Sequence, residues 1–314
     1  MLALSAACSS GNDATTTTVS RVVIERRAAT EWSDRAQEAY KGLQLTGMQL
    51  PERVRAWQAG ERTDAEFQGD LTIAQQEVTT VRDAVVDLPP FELDPRVAPL
   101  YQWSTRIYVE YVRALEAAQA KPPGPLRDQI VLLARRLRVL ADRVFDRGQA
   151  RLQPYLHEAP NPDVVIQLPP EVPDWTADGL AAGPPLDDPP GPPASEPALR
   201  EKERPTQPRT AWAAAVVAAG VPTRTELADA LAAKDQARLR ALAVRCVSIA
   251  RDLGAVADPA GRHGRDDAAQ ARLAVLVSGE AARAGQAELP EIARELAAIG
   301  PQVLLALPGL PSQS

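Results

Sequence analysis

Apolar side chains recur along this chain every three or four residues, which is the period of an α-helix and not of a β-strand. The clearest runs occupy residues 67–88 and 126–144. Their members are Phe67, Leu71, Ala74, Val78, Val81, Val85 and Leu88, and then Leu126, Ile130, Leu133, Leu137, Leu140 and Val144. Stripes of this kind are the buried faces of packed helices. The sequence therefore predicts an all-α fold.

Capping and proline signals set the helix boundaries in the first half of the chain. Thr63-Asp64-Ala65-Glu66 has the spacing of a capping box, in which the threonine hydroxyl and the glutamate carboxylate satisfy free N–H groups of the first turn. Pro89-Pro90 ends that helix, and Pro122-Pro123-Gly124-Pro125 separates two later ones. With a first helix over residues 20–42, these signals predict an antiparallel four-helix bundle over residues 20–157.

Residues 209–307 repeat this plan and predict a second helical bundle, followed by a disordered tail at 308–314. Thr223-Arg224-Thr225-Glu226 again has the spacing of a capping box. The apolar stripes consist of Leu239, Leu242, Cys246, Ile249, Leu253 and Val256, and of Leu289, Ile292, Leu296 and Ile299. Because Trp212 is the only aromatic residue of this module, its core buries less area per residue. We expect it to be the less stable half.

A proline-rich, acidic segment separates the two modules. Residues 158–208 hold 14 of the 29 prolines, and their 10 acidic and 3 basic side chains give a net charge of −7. Proline removes backbone donors and blocks helices, so we expect an extended linker here. The modules on either side are close to neutral, which argues against nucleic acid as a partner.

The first segment, residues 1–19, runs through small residues to Cys8 and continues into a threonine-rich stretch. Leu4-Ser5-Ala6-Ala7-Cys8 resembles the lipobox of bacterial lipoproteins. The resemblance implies a signal peptide whose start lies upstream, cleavage before Cys8 and a lipid anchor on that cysteine. The residues behind Cys8 would then be a flexible tether, and the protein would lie at the extracytoplasmic face of the cell membrane.

Motifs for catalysis or metal binding are missing from the sequence. No nucleophile elbow, phosphate-binding loop or zinc pattern occurs, and the two histidines, His157 and His263, are far apart. His263 shares a glycine-rich stretch with Asp266 and Asp267, which is better explained as a solvated loop than as a metal site. Cys246 lies on an apolar stripe and is expected in the core. We therefore expect no cofactor and no metal, and leave a helical enzyme with unrecognised residues as an alternative.

One aromatic helix is a candidate ligand site. It carries Tyr101, Trp103, Tyr108 and Tyr111 within eleven residues. The simpler interpretation is a tyrosine-rich core face, because helical spacing alone predicts one. The alternative is an aromatic-lined cavity whose rings bind a sugar or an apolar ligand.

A second candidate is an arginine strip on the helix that follows. Arg136, Arg143, Arg147 and Arg151 fall at spacings of seven, four and four, away from the leucine stripe. A solvated polar face is the default interpretation. The functional interpretation is an exposed basic strip that contacts anionic lipid, an acidic wall polymer or the acidic linker of the protein itself.

These features together predict two helical bundles joined by a proline-rich linker and anchored to the membrane by lipid. The function that fits best is a non-enzymatic binding or scaffolding module of the bacterial envelope. Its partner would be the membrane itself and an envelope protein, anionic lipid or wall polymer. A lipoprotein that binds a ligand in the aromatic bundle is the main alternative.

Overall fold

The computed structural model describes residues 21–43, 45–156, 218–255 and 264–305. In these ranges the chain forms α-helices and one π-helical turn, with no strand, so the predicted all-α class is confirmed. The predicted linker at 158–208 and both chain ends lie outside the described residues, and the domain boundaries stay a prediction. No helix in the described ranges has both the length and the apolar character needed to cross a membrane.

Two groups of helices are separated by the residues between 156 and 218. The first group contains α1 to α5, which span Arg21–Tyr40, Leu50–Gln58, Asp64–Val86, Val97–Gln119 and Pro125–Leu156. The second group contains α6 to α9, which span Arg224–Ala232, Gln236–Ala255, Gly264–Gln286 and Pro290–Leu305. The first group thus has the four long helices that the sequence predicts, together with the short α2, which the sequence analysis did not identify.

The two threonine signals predicted from the sequence cap helices in the structure. At α3, the Thr63 hydroxyl accepts from the Glu66 N–H at 3.2 Å and the Glu66 carboxylate accepts from the Thr63 N–H at 2.8 Å. At α6, the Thr223 hydroxyl accepts from the Glu226 N–H at 3.1 Å. The Glu226 carboxylate also accepts from Arg245, at 2.6 and 3.0 Å, and this bond, with a smaller contribution from the Thr223 backbone, lowers the pKa of Glu226.

A carboxylate from α3 holds the π-helical turn Leu45–Gln49 in place. Glu77 accepts from the backbone N–H groups of Leu45 and Thr46, at 3.1 and 2.9 Å, and from the Thr46 hydroxyl at 2.9 Å. These are N–H groups at the start of a helical turn, which have no partner within the turn itself. Glu77 therefore fixes the path of the chain between α1 and α2.

The apolar stripes form the core, as the sequence predicts. From Phe67 to Val85, every member of the α3 stripe is buried, and so are the α5 stripe from Ile130 onward and the described members of the α7 stripe. The exceptions are Leu126, which remains partly exposed in the first turn of α5, and Leu88 and Leu289, which are half-buried. Helical period therefore identified the buried faces almost residue by residue.

Helix α8 is the central helix of the structure. Every residue from Gln270 to Ala284 is buried, because α5 packs on one side of this helix and α7 and α9 pack on others. Glycine permits the close approach to α7, since a Cβ atom on Gly279 would lie 3.0 Å from the Cβ atom of Cys246. The two helix groups are thus joined through α8, with a second contact between α4 and α9.

Candidate functional site

The four aromatic residues of the candidate ligand site lie on α4, and all four side chains are buried in the core. Tyr101 makes edge-to-face contacts with Trp32 and Tyr40, at ring-centroid distances of 5.0 and 5.6 Å. Its ring also covers the backbone of α5 at Gly148, where an added Cβ atom would lie 2.7 Å away. These contacts are those of a core face. They support the simpler interpretation of Tyr101, Trp103, Tyr108 and Tyr111, and a ligand role for these residues stays a prediction.

A buried polar cluster lies beside this aromatic core. The Tyr108 hydroxyl donates a hydrogen bond to the Asp142 carboxylate on α5. Burial raises the pKa of the Tyr108 phenol well above its ordinary value and also raises the pKa of Asp142, an effect that Arg138 opposes from 3.6 Å. Arg138 in turn donates to the carbonyl of Gly47 at 3.2 Å. The polar groups of this cluster therefore bind one another and join α4, α5 and the π-helical turn.

The four arginines that were expected to form an exposed strip on α5 are buried. None of Arg136, Arg143, Arg147 and Arg151 exposes more than 9% of its surface. The expectation of a solvated or lipid-facing strip was wrong, because α8 covers this face of α5. Helical spacing separates the arginines from the leucine stripe, but it does not reveal whether a second helix packs on the arginine side.

One end of the interface between α5 and α8 is built around Asp94, in the loop before α4. Its carboxylate accepts from the Arg96 guanidinium at 2.7 and 2.8 Å, and Arg151 Nη1 lies 3.9 Å from it. Arg151 also donates to Gln270 Oε1 at 3.0 Å, and Gln270 Nε2 donates to the carbonyl of Val303 at 3.0 Å. A chain of buried polar contacts therefore runs from the loop through α5 and α8 to α9.

Farther along the same interface, Glu280 of α8 lies between two arginines. Its carboxylate is 3.9 Å from Arg136 Nη1 on α5 and 3.6 Å from Arg283 Nε one turn later on α8. All three side chains are buried. Charges out of water are tolerated only when they are paired and hydrogen-bonded. The packing of α5 against α8 therefore depends on paired charges as well as on shape.

The second contact between the helix groups joins α4 to α9. Arg106 donates to Glu295 Oε1 at 2.7 Å and to Gln302 Oε1 at 3.1 Å. One turn along α4, the buried Glu110 accepts from Arg113 Nη1 at 2.7 Å. Burial raises the pKa of Glu110 to about 7, with Arg113 opposing the shift and Glu295 adding to it. This contact therefore contains a carboxyl group that titrates near neutral pH.

The remaining candidates are the two cysteines and the two histidines. Cys246 is fully buried against α8, and burial raises the pKa of its thiol to about 12, as suits a core side chain. Cys8, His157 and His263 lie outside the described residues. Within the described ranges, no three side chains of His, Cys, Asp or Glu are grouped so that they could hold a metal ion.

Comparison of the chain with protein-family models, with curated proteins and with solved structures finds no match. The functional conclusion therefore depends on the residues and contacts of this chain alone.

The polar side of α8 is the part of the site that sequence reasoning missed. Between residues 271 and 284, Ala, Leu and Val occupy all sides of the helix, which is the pattern of a helix buried all round. Arg272, Glu280 and Arg283 interrupt that pattern, and charged residues are almost never fully buried unless they are paired. The sequence therefore indicated that these buried charges are paired, but it did not identify Arg136 of α5 as a partner of Glu280.

Proposed function

We propose that this chain is a bacterial envelope lipoprotein that is anchored through Cys8 and acts as a non-enzymatic binding or scaffolding module. The resemblance of Leu4-Ser5-Ala6-Ala7-Cys8 to a lipobox supports the anchor. The main structural support is that the buried arginines of α5 join the two helix groups into one body. In this proposal, the lipid holds that body at the extracytoplasmic face of the membrane.

Scaffolding is favoured over ligand binding because the candidate contact residues are engaged inside the fold. Tyr101 packs on the rings of Trp32 and Tyr40, and Tyr108 binds Asp142. The arginines of α5 bind partners on α8 and in the loop before α4. Surface contact with an envelope protein would therefore use other side chains.

An enzyme would be favoured if two buried carboxylates lay together. Glu110 is buried, but Glu295, which acts on it through charge, is only half-buried. The charge of Glu295 adds to the raised pKa of Glu110. Glu110 also accepts from Arg113, and Glu295 accepts from Arg106. We assign Glu295 to the ion pair that joins α4 and α9, and Glu110 to an ion pair within α4.

The test of the anchor is membrane fractionation of cells that express the gene from its own locus. Replacing Cys8→Ala should release the protein from the membrane and abolish incorporation of labelled fatty acid, because the lipid is attached to that thiol. Cys246→Ala removes the only other cysteine and should leave the protein in the membrane fraction. Membrane retention of Cys8→Ala would contradict the proposal.

Native mass spectrometry separates the scaffold from the ligand-binding alternative. A scaffold purified from the envelope should carry its lipid and no other small molecule. A bound small molecule that is lost on replacing Tyr108→Phe or Tyr111→Phe would instead favour a ligand site in the aromatic core.

A further inference from the structure

Glu110 lies one turn beyond Arg106, the α4 residue that binds Glu295 and Gln302 of α9. Its side chain is almost completely buried, with 1% of the residue exposed. One carboxyl oxygen, Oε1, accepts from Arg113, whereas Oε2 has no hydrogen-bond partner among the described residues. A buried oxygen without a partner is costly when the carboxyl group is ionised and far less costly when it is protonated.

The charged groups that act on Glu110 come from both helices. Arg113 and Arg106 of α4 favour the ionised form, and Glu295 of α9 disfavours it. Arg106 already donates hydrogen bonds to Glu295 and Gln302 of α9, which limits how far it stabilises the ionised form of Glu110. Burial together with Glu295 outweighs the two arginines, so the pKa of Glu110 rises from 4.5 to about 7.

We propose that protonation of Glu110 controls how tightly α9 is held against α4, so that docking of the second helix group strengthens as the pH falls. Separation of the two helices would hydrate Glu110 and remove Glu295 from its side. The pKa of Glu110 would then return toward its ordinary value of 4.5. A state that binds a proton more tightly is favoured at low pH.

The difference in the pKa of Glu110 between the docked and the separated state determines the pH range over which docking changes. Below the ordinary pKa of 4.5, Glu110 is protonated in both the docked and the separated state, and the stabilisation of the docked state is largest. Between that value and about 7, the separated state releases its proton and the docked state does not, so docking weakens as the pH rises. Above this range both states are ionised and the dependence ends. This inference does not depend on the lipid anchor.

Hydrogen exchange of the full chain tests the proposal. Protection of backbone amides in α9, at Pro290–Leu305, is compared with protection in α3, at Asp64–Val86, after correction for the intrinsic exchange rate. Between about pH 5.5 and about pH 8, we expect the ratio of α9 to α3 protection to fall roughly thirtyfold in the wild type. In Glu110→Gln, which keeps the shape and removes the titration, the ratio should stay constant.

Two further variants make the test specific. Glu295→Gln removes the like charge and frees Arg106, so the midpoint of the pH dependence should move to lower pH. Glu291→Gln lies on the exposed side of the same helix, and it should leave the wild-type dependence unchanged.

A wild-type ratio that is the same at both pH values would overturn the proposal, as would an unchanged dependence in Glu110→Gln. If Glu110→Gln does not fold, Glu295→Gln decides the question. An unmoved midpoint in that variant would mean that Glu110 is not the group responsible.

Discussion

Arg136 of α5 and Glu280 of α8 form a buried ion pair, with Nη1 and Oε2 separated by 3.9 Å. The pair connects two helix groups whose sequences are separated by a proline-rich segment. An ion pair in this position contributes less to stability than its charges suggest, because both partners lose their hydration. It does make other pairings of the two groups unfavourable, since a mismatch would leave a charge buried alone.

Removing the negative partner should therefore be far more damaging than removing an exposed carboxylate. We expect Glu280→Gln to lower the free energy of unfolding by about 3 kcal/mol, because it leaves buried arginine charge uncompensated. Glu291→Gln on α9, whose side chain is 73% exposed, should change it by less than about 0.5 kcal/mol. Denaturant titration of both variants measures the difference, and equal effects would show that the pair at Glu280 is not buried as described.

The second prediction concerns Gly300, where α9 lies close to α8. A Cβ atom there would overlap the Ser278 hydroxyl and lie 3.0 Å from the carbonyl of Ala274. We expect Gly300→Ala to destabilise the protein by about 1–3 kcal/mol, because the two helices must move apart. Thermal unfolding monitored by circular dichroism provides the measurement.

The matched control for that substitution is Gly69→Ala in α3. No heavy atom lies within 4 Å of a Cβ atom at Gly69, so only the higher helix propensity of alanine acts there. This variant should be more stable than the wild type by about 0.5–1 kcal/mol. Stabilisation by both alanines would contradict the close contact of α8 with α9.

The capping box of α3 supports a third prediction. Thr63→Ala removes the hydroxyl that accepts from the Glu66 N–H, and it should cost about 1 kcal/mol. Thr63→Ser keeps an acceptor at that position and should cost much less. Chemical denaturation of the two variants gives the comparison, and equal losses would mean that the methyl group of Thr63 matters rather than its hydroxyl.

The sequence predicted the helices well because each one has a buried face with a regular period. The stripe from Phe67 to Val85 and the capping residue Thr63 are local signals, and local signals define where a helix begins and which side it buries. The same information could not reveal the fate of Arg151. Its contacts with Asp94 and Gln270 depend on residues 57 and 119 positions away in the chain.

The exposure of the arginine strip on α5 was mispredicted for a related reason. A helix with leucines on one side and arginines on the other has the pattern of a surface helix, and α5 departs from it because α8 covers the arginines. Recognising this from sequence would have required matching Arg136 with Glu280, which no helical period provides. The burial of Glu110 was equally hidden, because Arg106 and Arg113 on the same helix suggest a solvated ion-pair face.

The docking of the two helix groups through α5 and α8 can be measured most directly by cutting the chain between them. A recognition sequence for a specific protease is inserted between residues 158 and 208, the purified protein is cleaved, and the products are separated by size-exclusion chromatography. The buried contacts of Arg136, Arg151 and Glu280 predict that both fragments elute together, at the position of the uncut chain. Charge reversal by Glu280→Arg should release them from each other. Elution of two independent fragments from the wild-type sequence would contradict the interface described here.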